Sequence, residues 1–280
     1  MLFGAHVSIA GGLPNAPLNA ANIGCEVFQM FTRSPQGGPV KPIDQTTADQ
    51  FKALCAEHKL KEWYVHAPYI INFASGTART YRGSISIVRG ELERSSQLGA
   101  KYVMFHTGSY KDLGEKAGFE QVVKGLAEVL KGYTGSTQLL IENAAGAGEV
   151  IGDTFEEIAE ILDAPELKPY DIGVCLDTEH AFASGYDLRT AADVKKTFDA
   201  FDTTIGLKRL KMFHCNDSKI ELGGKKDRHE HIGEGFIGED GFRAIFADKR
   251  LKNFSFIAET EHDKIVADLT LLKKLRDEKK

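Results

Sequence analysis

Nine side chains able to hold a divalent metal are spread through this chain, seven of them at or just beyond the ends of short hydrophobic runs. The run ending at Tyr64-Val65 stops at His66, Tyr102-Val103-Met104-Phe105 stops at His106, and Leu139-Leu140-Ile141 stops at Glu142. Val174-Cys175-Leu176 runs into Asp177-Thr178-Glu179-His180, Leu210-Lys211-Met212-Phe213 stops at His214, and Phe256-Ile257-Ala258 stops at Glu259. Asp227 and His229, with one residue between them, complete the set. Neutral imidazole with carboxylate, and no thiolate beside them, is the donor set of hydrolytic zinc or manganese sites. A carboxylate can bridge two ions, and a bridged pair can hold hydroxide at neutral pH and clamp a phosphoryl oxygen.

Each residue alone is a weak signal, because a histidine after a strand is more often a loop or satisfied core residue. Their coincidence is what carries weight: five of the nine histidines belong to this set. His58 sits in a polar helical stretch and reads as solvent-exposed. His231 and His262 read more readily as structural than as ligands. Strand or turn alternation points Glu179 away from Asp177 and His180, so it is left out.

A ring of ligands needs elements that bring the run ends together. Eight β-like runs are read, at residues 3–8, 25–32, 62–67, 102–107, 138–143, 172–177, 210–215 and 254–259. Helix-period segments lie between most of them. Phe119, Val122, Val123, Leu126, Val129 and Leu130 share one helical face, stopped by Gly132. Residues 153–156 read as a capping box opening a helix at 155–162. Further helices are expected at 84–98 and 265–275, and long loops at 34–42 and 218–238. Continuous rather than alternating apolar strands, separated by helices, predict an α/β fold, the closed (β/α)8 TIM barrel. A doubly wound open sheet would gather its functional groups at one switch point, whereas here they follow nearly every strand. Residues 1–280 are expected to form a single domain with the metal site at the C-terminal ends of the strands.

Bulk composition narrows the function classes. At 42% hydrophobic content the chain supports a sizeable core. No apolar stretch approaches the roughly 20 residues of a membrane span, Met1 leads straight into a strand, and four separated cysteines read as reduced thiols. The cytoplasm is the expected compartment. A net charge of −5 argues against a broad basic surface. Three divalent ions would more than offset that charge, so the acidity does not exclude a phosphate substrate.

With these residues in place, the chain resembles the endonuclease IV family of zinc-dependent apurinic/apyrimidinic endonucleases. The likeness runs through Gly4-Ala5-His6-Val7-Ser8 with Gly11-Gly12, His66-Ala67-Pro68-Tyr69-Ile70-Ile71-Asn72, Phe105-His106-Thr107-Gly108 and Ile141-Glu142-Asn143. It continues through Cys175-Leu176-Asp177-Thr178-Glu179-His180-Ala181-Phe182, His214-Cys215-Asn216-Asp217-Ser218-Lys219, Asp227-Arg228-His229, Ile232-Gly233-Glu234-Gly235 and Ala258-Glu259-Thr260. Almost the whole chain is covered.

The resemblance implies three Zn2+ ions, with Mn2+ an option at one or more sites. His66, His106 and Glu142 would hold the first; Glu142, Asp177, His214 and Glu259 the second; His180, Asp227 and His229 the third. Glu142 and Glu259 are implied as the catalytic carboxylates. A metal-bridging hydroxide would cleave DNA 5′ of an abasic site, and blocked 3′ ends would also be trimmed. His6, Arg33, Tyr69 and Arg228 are the implied substrate contacts, Arg228 ahead of Lys219. The partner is damaged DNA rather than a membrane, and the protein is expected to act as a monomer. One stretch departs from the family: around Gln36 and Gly38, members carry a basic and a bulky side chain that enter the minor groove. Arg33 and Tyr69 are the residues that could compensate. Two other readings remain open: a sugar isomerase or epimerase on a related barrel, and a lesion-binding protein with weakened incision.

Overall fold

The computed structural model describes residues 1–38 and 40–278. The hydrophobic runs become strands β1 (Leu2–His6), β2 (Val27–Met30), β3 (Trp63–His66), β4 (Tyr102–Phe105), β5 (Gln138–Glu142), β6 (Gly173–Asp177) and β7 (Leu210–His214). A short antiparallel hairpin follows, β8 (Asp217–Ser218) with β9 (His229–Glu230), and then the last barrel strand, β10 (Ser255–Ala258). The eight longer strands are parallel and close in the order β1-β10-β7-β6-β5-β4-β3-β2. Around them lie α1 (Asn15–Asn22), α2 (Gln45–Glu57), α3 (Ala78–Leu98), α4 (Glu115–Leu130), α5 (Phe155–Asp163), α6 (Thr178–Ala183), α7 (Ala191–Thr204), α8 (Gly238–Ala247) and α9 (Ile265–Asp277). This is the (β/α)8 barrel expected from the sequence.

Side-chain alternation along the strands builds two cores and the site at once. Val27, Tyr64, Tyr102, Met104, Leu140, Cys175, Met212 and Ile257 form one cluster that fills the barrel. Their neighbours in sequence, among them Phe28, Val65, Val103, Leu139, Val174, Phe213 and Phe256, join the larger cluster beneath the helices. Two residues beyond Tyr64, Met104, Leu140, Cys175, Met212 and Ile257 stand His66, His106, Glu142, Asp177, His214 and Glu259. The expected ligand ring is therefore the next inward-facing layer of the barrel. Gly4 belongs to this packing, since a Cβ there would lie 1.6 Å from the Val27 carbonyl oxygen.

Several boundaries differ from the sequence expectation. The helix expected at 84–98 opens at Ala78, because its first turns are largely exposed and carry no apolar period. The cap of α5 lies one residue later than the box at 153–156. Thr154 caps the helix by accepting the Glu157 N–H, while the Glu157 carboxylate accepts from Gly152. Residues 34–42 carry no helix or strand among those described; Pro39 lies outside the described residues. The loop expected at 218–238 contains the β8–β9 pairing, whose two-residue strands are too short to leave a period. Its far side is organised by Asp217, whose carboxylate accepts the N–H groups of Gly233, Gly235, Ile237 and Gly238.

Candidate metal centre

Glu142 occupies the middle of the ligand layer and is fully buried. Its Oε2 lies 3.0 Å from His66 Nε2 and 3.5 Å from His106 Nε2. Its Oε1 lies 2.7 Å from His214 Nδ1 and 3.4 Å from His180 Nδ1. Burial opposes ionisation of this carboxyl, but His106, His214 and His66 outweigh it and hold the group well below the usual range. One carboxylate with a different set of partners on each oxygen is suited to joining two cation sites.

Three groups of donor atoms converge, the atoms of each lying within 4.8 Å of one another: His66, His106 and Glu142; Glu142, Asp177, His214 and Glu259; and Asp177, Glu179, His180 and His229. Asp227 joins the third group, 3.5 Å from both His180 Nε2 and His229 Nε2. All nine side chains singled out in the sequence are thus brought together. Asp177 also caps α6 by accepting the His180 N–H at 3.0 Å, which fixes one candidate ligand relative to another.

The ring nitrogens are poised for cations. His66 Nδ1 lies 2.6 Å from the Ala67 carbonyl oxygen and His180 Nδ1 lies 2.9 Å from that of Asn143. Each backbone oxygen takes an N–H, leaving Nε2 to face the carboxylates. Burial disfavours the charged His180, yet Asp177 and Asp227 raise it well above the ordinary imidazole range. His214 is raised in the same way against burial, by Cys175, Glu142 and Glu259. With the Cys175 thiol itself pushed up to about 12 by burial, the two carboxylates carry that effect at neutral pH. Asp227 is held at about 2, burial being overcome by His180 and His229. Carboxylates that favour positive charge on these rings would favour divalent cations equally well, and the borderline nitrogen and hard oxygen donors fit zinc or manganese. Over the layer lies a pocket of about 380 Å³, lined by His6, Tyr69, His106, His229, Thr260 and His262 among others.

The model of the xylose isomerase-like TIM barrel family matches residues 18–278. A protein of Methanoculleus marisnigri named a probable endonuclease 4 is 40% identical over 278 residues, covering 99% of this chain and 98% of its own length. The chain belongs to the endonuclease IV family. The crystal structure of endonuclease IV from Thermus thermophilus superposes with a TM-score of 0.88 at 33% identity, covering 100% of both chains. A D-tagatose 3-epimerase-like protein shares the barrel, with a TM-score of 0.74 at 22% identity over 99% of this chain and 97% of its own, and that likeness extends to the fold alone.

Other residues of this endonuclease IV chain meet their sequence expectations unevenly. His6 lines the pocket, and burial lowers its pKa against the pull of Glu259. Tyr69 lines it too and is 69% exposed, its ring 5.3 Å from that of Phe31. Arg228 is exposed beside the third group, its backbone N–H donating to Glu179. Arg33 departs from its expected role. Its side chain is largely buried in an ion pair with Glu91 of α3 rather than at the pocket. Thr32 donates to the same carboxylate at 2.6 Å, and Arg94 binds Thr32 and the Lys41 carbonyl. This network staples the loop after β2 to α3. Glu91→Ala would leave buried arginine unpaired and is expected to cost about 3–5 kcal/mol, read from urea unfolding midpoints.

Alternation sets Glu179 aside, but the strand ends at Asp177 and α6 begins at Thr178, so alternation does not apply. Its buried carboxylate accepts from Ser218 Oγ at 3.1 Å and Arg228 N at 3.2 Å. Burial and Asp177 push it up to about 7. His231 proves structural, its Nδ1 2.8 Å from Asp268, whereas exposed His262 lines the pocket. Sequence reasoning missed Gln29, which is fully buried among the ligands, and Ile70, exposed beside Tyr69. Among the described residues, no helix is long and apolar enough to cross a membrane.

Proposed function

We propose that this endonuclease hydrolyses the DNA phosphodiester bond 5′ of an abasic site, and trims blocked 3′ ends, with three zinc ions held by the three donor groups; manganese can replace zinc at one or more of them. The observation that carries the reading is Glu142, common to two groups, with the third joined to them through Asp177. Bound there, divalent ions supply an activated water and positive charge for the phosphate. The chain's own residues do the rest. Glu142 joins the first two groups and Glu259 completes the second, while His180, Asp227 and His229 line the pocket near Arg228. Arg228 offers a cation to the backbone of the strand, and His6 a ring nitrogen inside the pocket.

Tyr69 and Ile70 give the rim an exposed aromatic and aliphatic edge, suited to the space left by a missing base. Tyr69→Ala is expected to weaken binding to abasic duplex by about 1–3 kcal/mol, the scale of one stacking contact, with a smaller loss on intact duplex. Equal losses on both, measured by fluorescence anisotropy, would remove Tyr69 from lesion recognition.

A duplex carrying one abasic site, tested beside the same strand unpaired and with metal content determined on the same preparation, examines the whole reading. Incision 5′ of the lesion with about three metals per chain is the expected result. Three metals with incision of neither substrate would favour a lesion-binding protein. That second reading is supported by the loop carrying Gln36, Gly37 and Gly38, which offers no large side chain to the duplex. One or two metals and no incision would favour sugar chemistry, against which the third donor group stands.

A further inference from the structure

Gln29 is fully buried in β2, two residues beyond the core residue Val27, and so points into the ligand layer without being able to serve as a ligand of charge. Its Oε1 lies 2.7 Å from His214 Nε2, and its Nε2 lies 2.6 Å from Glu259 Oε1 and 3.1 Å from His6 Nδ1. A carboxylate only accepts hydrogen bonds, so the amide NH2 must face Glu259 and the carbonyl oxygen must face His214. A carbonyl oxygen only accepts, so His214 carries its proton on Nε2. Its Nδ1, 3.2 Å from Glu259 Oε2, is then the nitrogen left for a cation. The second amide hydrogen meets His6 Nδ1, which must therefore accept, and neutral His6 then has its proton on Nε2.

We propose that Gln29 is a positioning residue that fixes the tautomers of His214 and His6 together, presenting Nδ1 of His214 to the metal and making His6 an N–H donor for a phosphate oxygen in the pocket. At His66 and His180 a backbone carbonyl performs the first task; at His214 a side chain does, and the same amide also orients Glu259. Partners of this kind typically govern metal affinity by about ten- to a hundredfold. The inference rests on the metal-centre reading above and deepens it.

Two measurements test it. In the zinc-loaded wild type, 15N spectra of labelled histidine should place the protons of both His214 and His6 on Nε2. A proton on His6 Nδ1 would set two N–H groups facing each other and overturn the assignment, with no variant required. Gln29→Met, similar in length but without the amide, should lose zinc about ten- to a hundredfold faster to a competing chelator. It should also lose the fixed His6 signal. Zinc loss and His6 spectra like those of the wild type would overturn the proposal while leaving the metal centre intact. A wild type that retains no zinc would overturn both readings.

Discussion

Replacing Glu142 with glutamine is expected to slow cleavage of abasic DNA by about a thousandfold or more while changing DNA affinity only a few-fold. A thousandfold corresponds to about 4 kcal/mol of barrier, the scale of losing one charged group that organises transition-state charge. The reason is geometric. Both Glu142 oxygens are engaged, by His66 and His106 on one side and His214 and His180 on the other. Glutamine keeps the volume but turns one acceptor into a donor and removes the charge that holds two donor groups at a common spacing. It touches none of the exposed rim at Tyr69, Ile70 or Arg228, so binding of the damaged strand should survive. Single-turnover cleavage and equilibrium binding on the same preparation separate the two effects. Unchanged turnover would remove Glu142 from the reaction; an equal loss in binding and turnover would make it a DNA contact.

The ligand ring is legible in the sequence because a polar residue ends an apolar run at six strands, where barrel geometry puts the next inward layer. Gln29 obeys the same parity, two residues after Val27, but the apolar run around it continues into Met30 and Phe31, so nothing marks an end. Counting inward positions rather than run ends would have found it. Asp227 and His229 are visible from their spacing, whereas the hairpin that presents His229 rests on a pairing two residues long. Arg33 reads as a substrate contact in the sequence because its partner, Glu91, lies 58 residues away in α3, beyond any local signal. Glu179 is misread where strand parity is extended past the residue at which α6 begins.

The same cluster of charges makes the metal-free protein sensitive to pH in a way the loaded protein should not share. The carboxyl of Glu142 is depressed in the fold, so its contribution is present above the ordinary 4.5 and is lost as the pH falls through its lowered value. His180 and His214 are raised well above 6.5, so their contribution is full below 6.5 and is lost as the pH rises through their raised values. Burial lowers His6 and His106, which act in the opposite sense and erode stability as the pH drops below 6.5. Chelator-stripped protein should therefore be most stable near pH 6 and weaken on the alkaline side. Cations displace the imidazolium protons, so zinc loading should release protons and should tighten as the pH rises. A site filled about a thousandfold above its dissociation constant adds about 4 kcal/mol. At about 2–4 °C per kcal/mol for a chain of this size, that is a rise in Tm of about 10 °C per site, largest above pH 7. Thermal unfolding of stripped and zinc-loaded protein between pH 5 and 9 measures the gap directly. If the two curves run parallel across that range, the histidines do not exchange protons for metal, and the centre assigned to them is wrong. Widening curves would tie the buried charges to the cations that replace them.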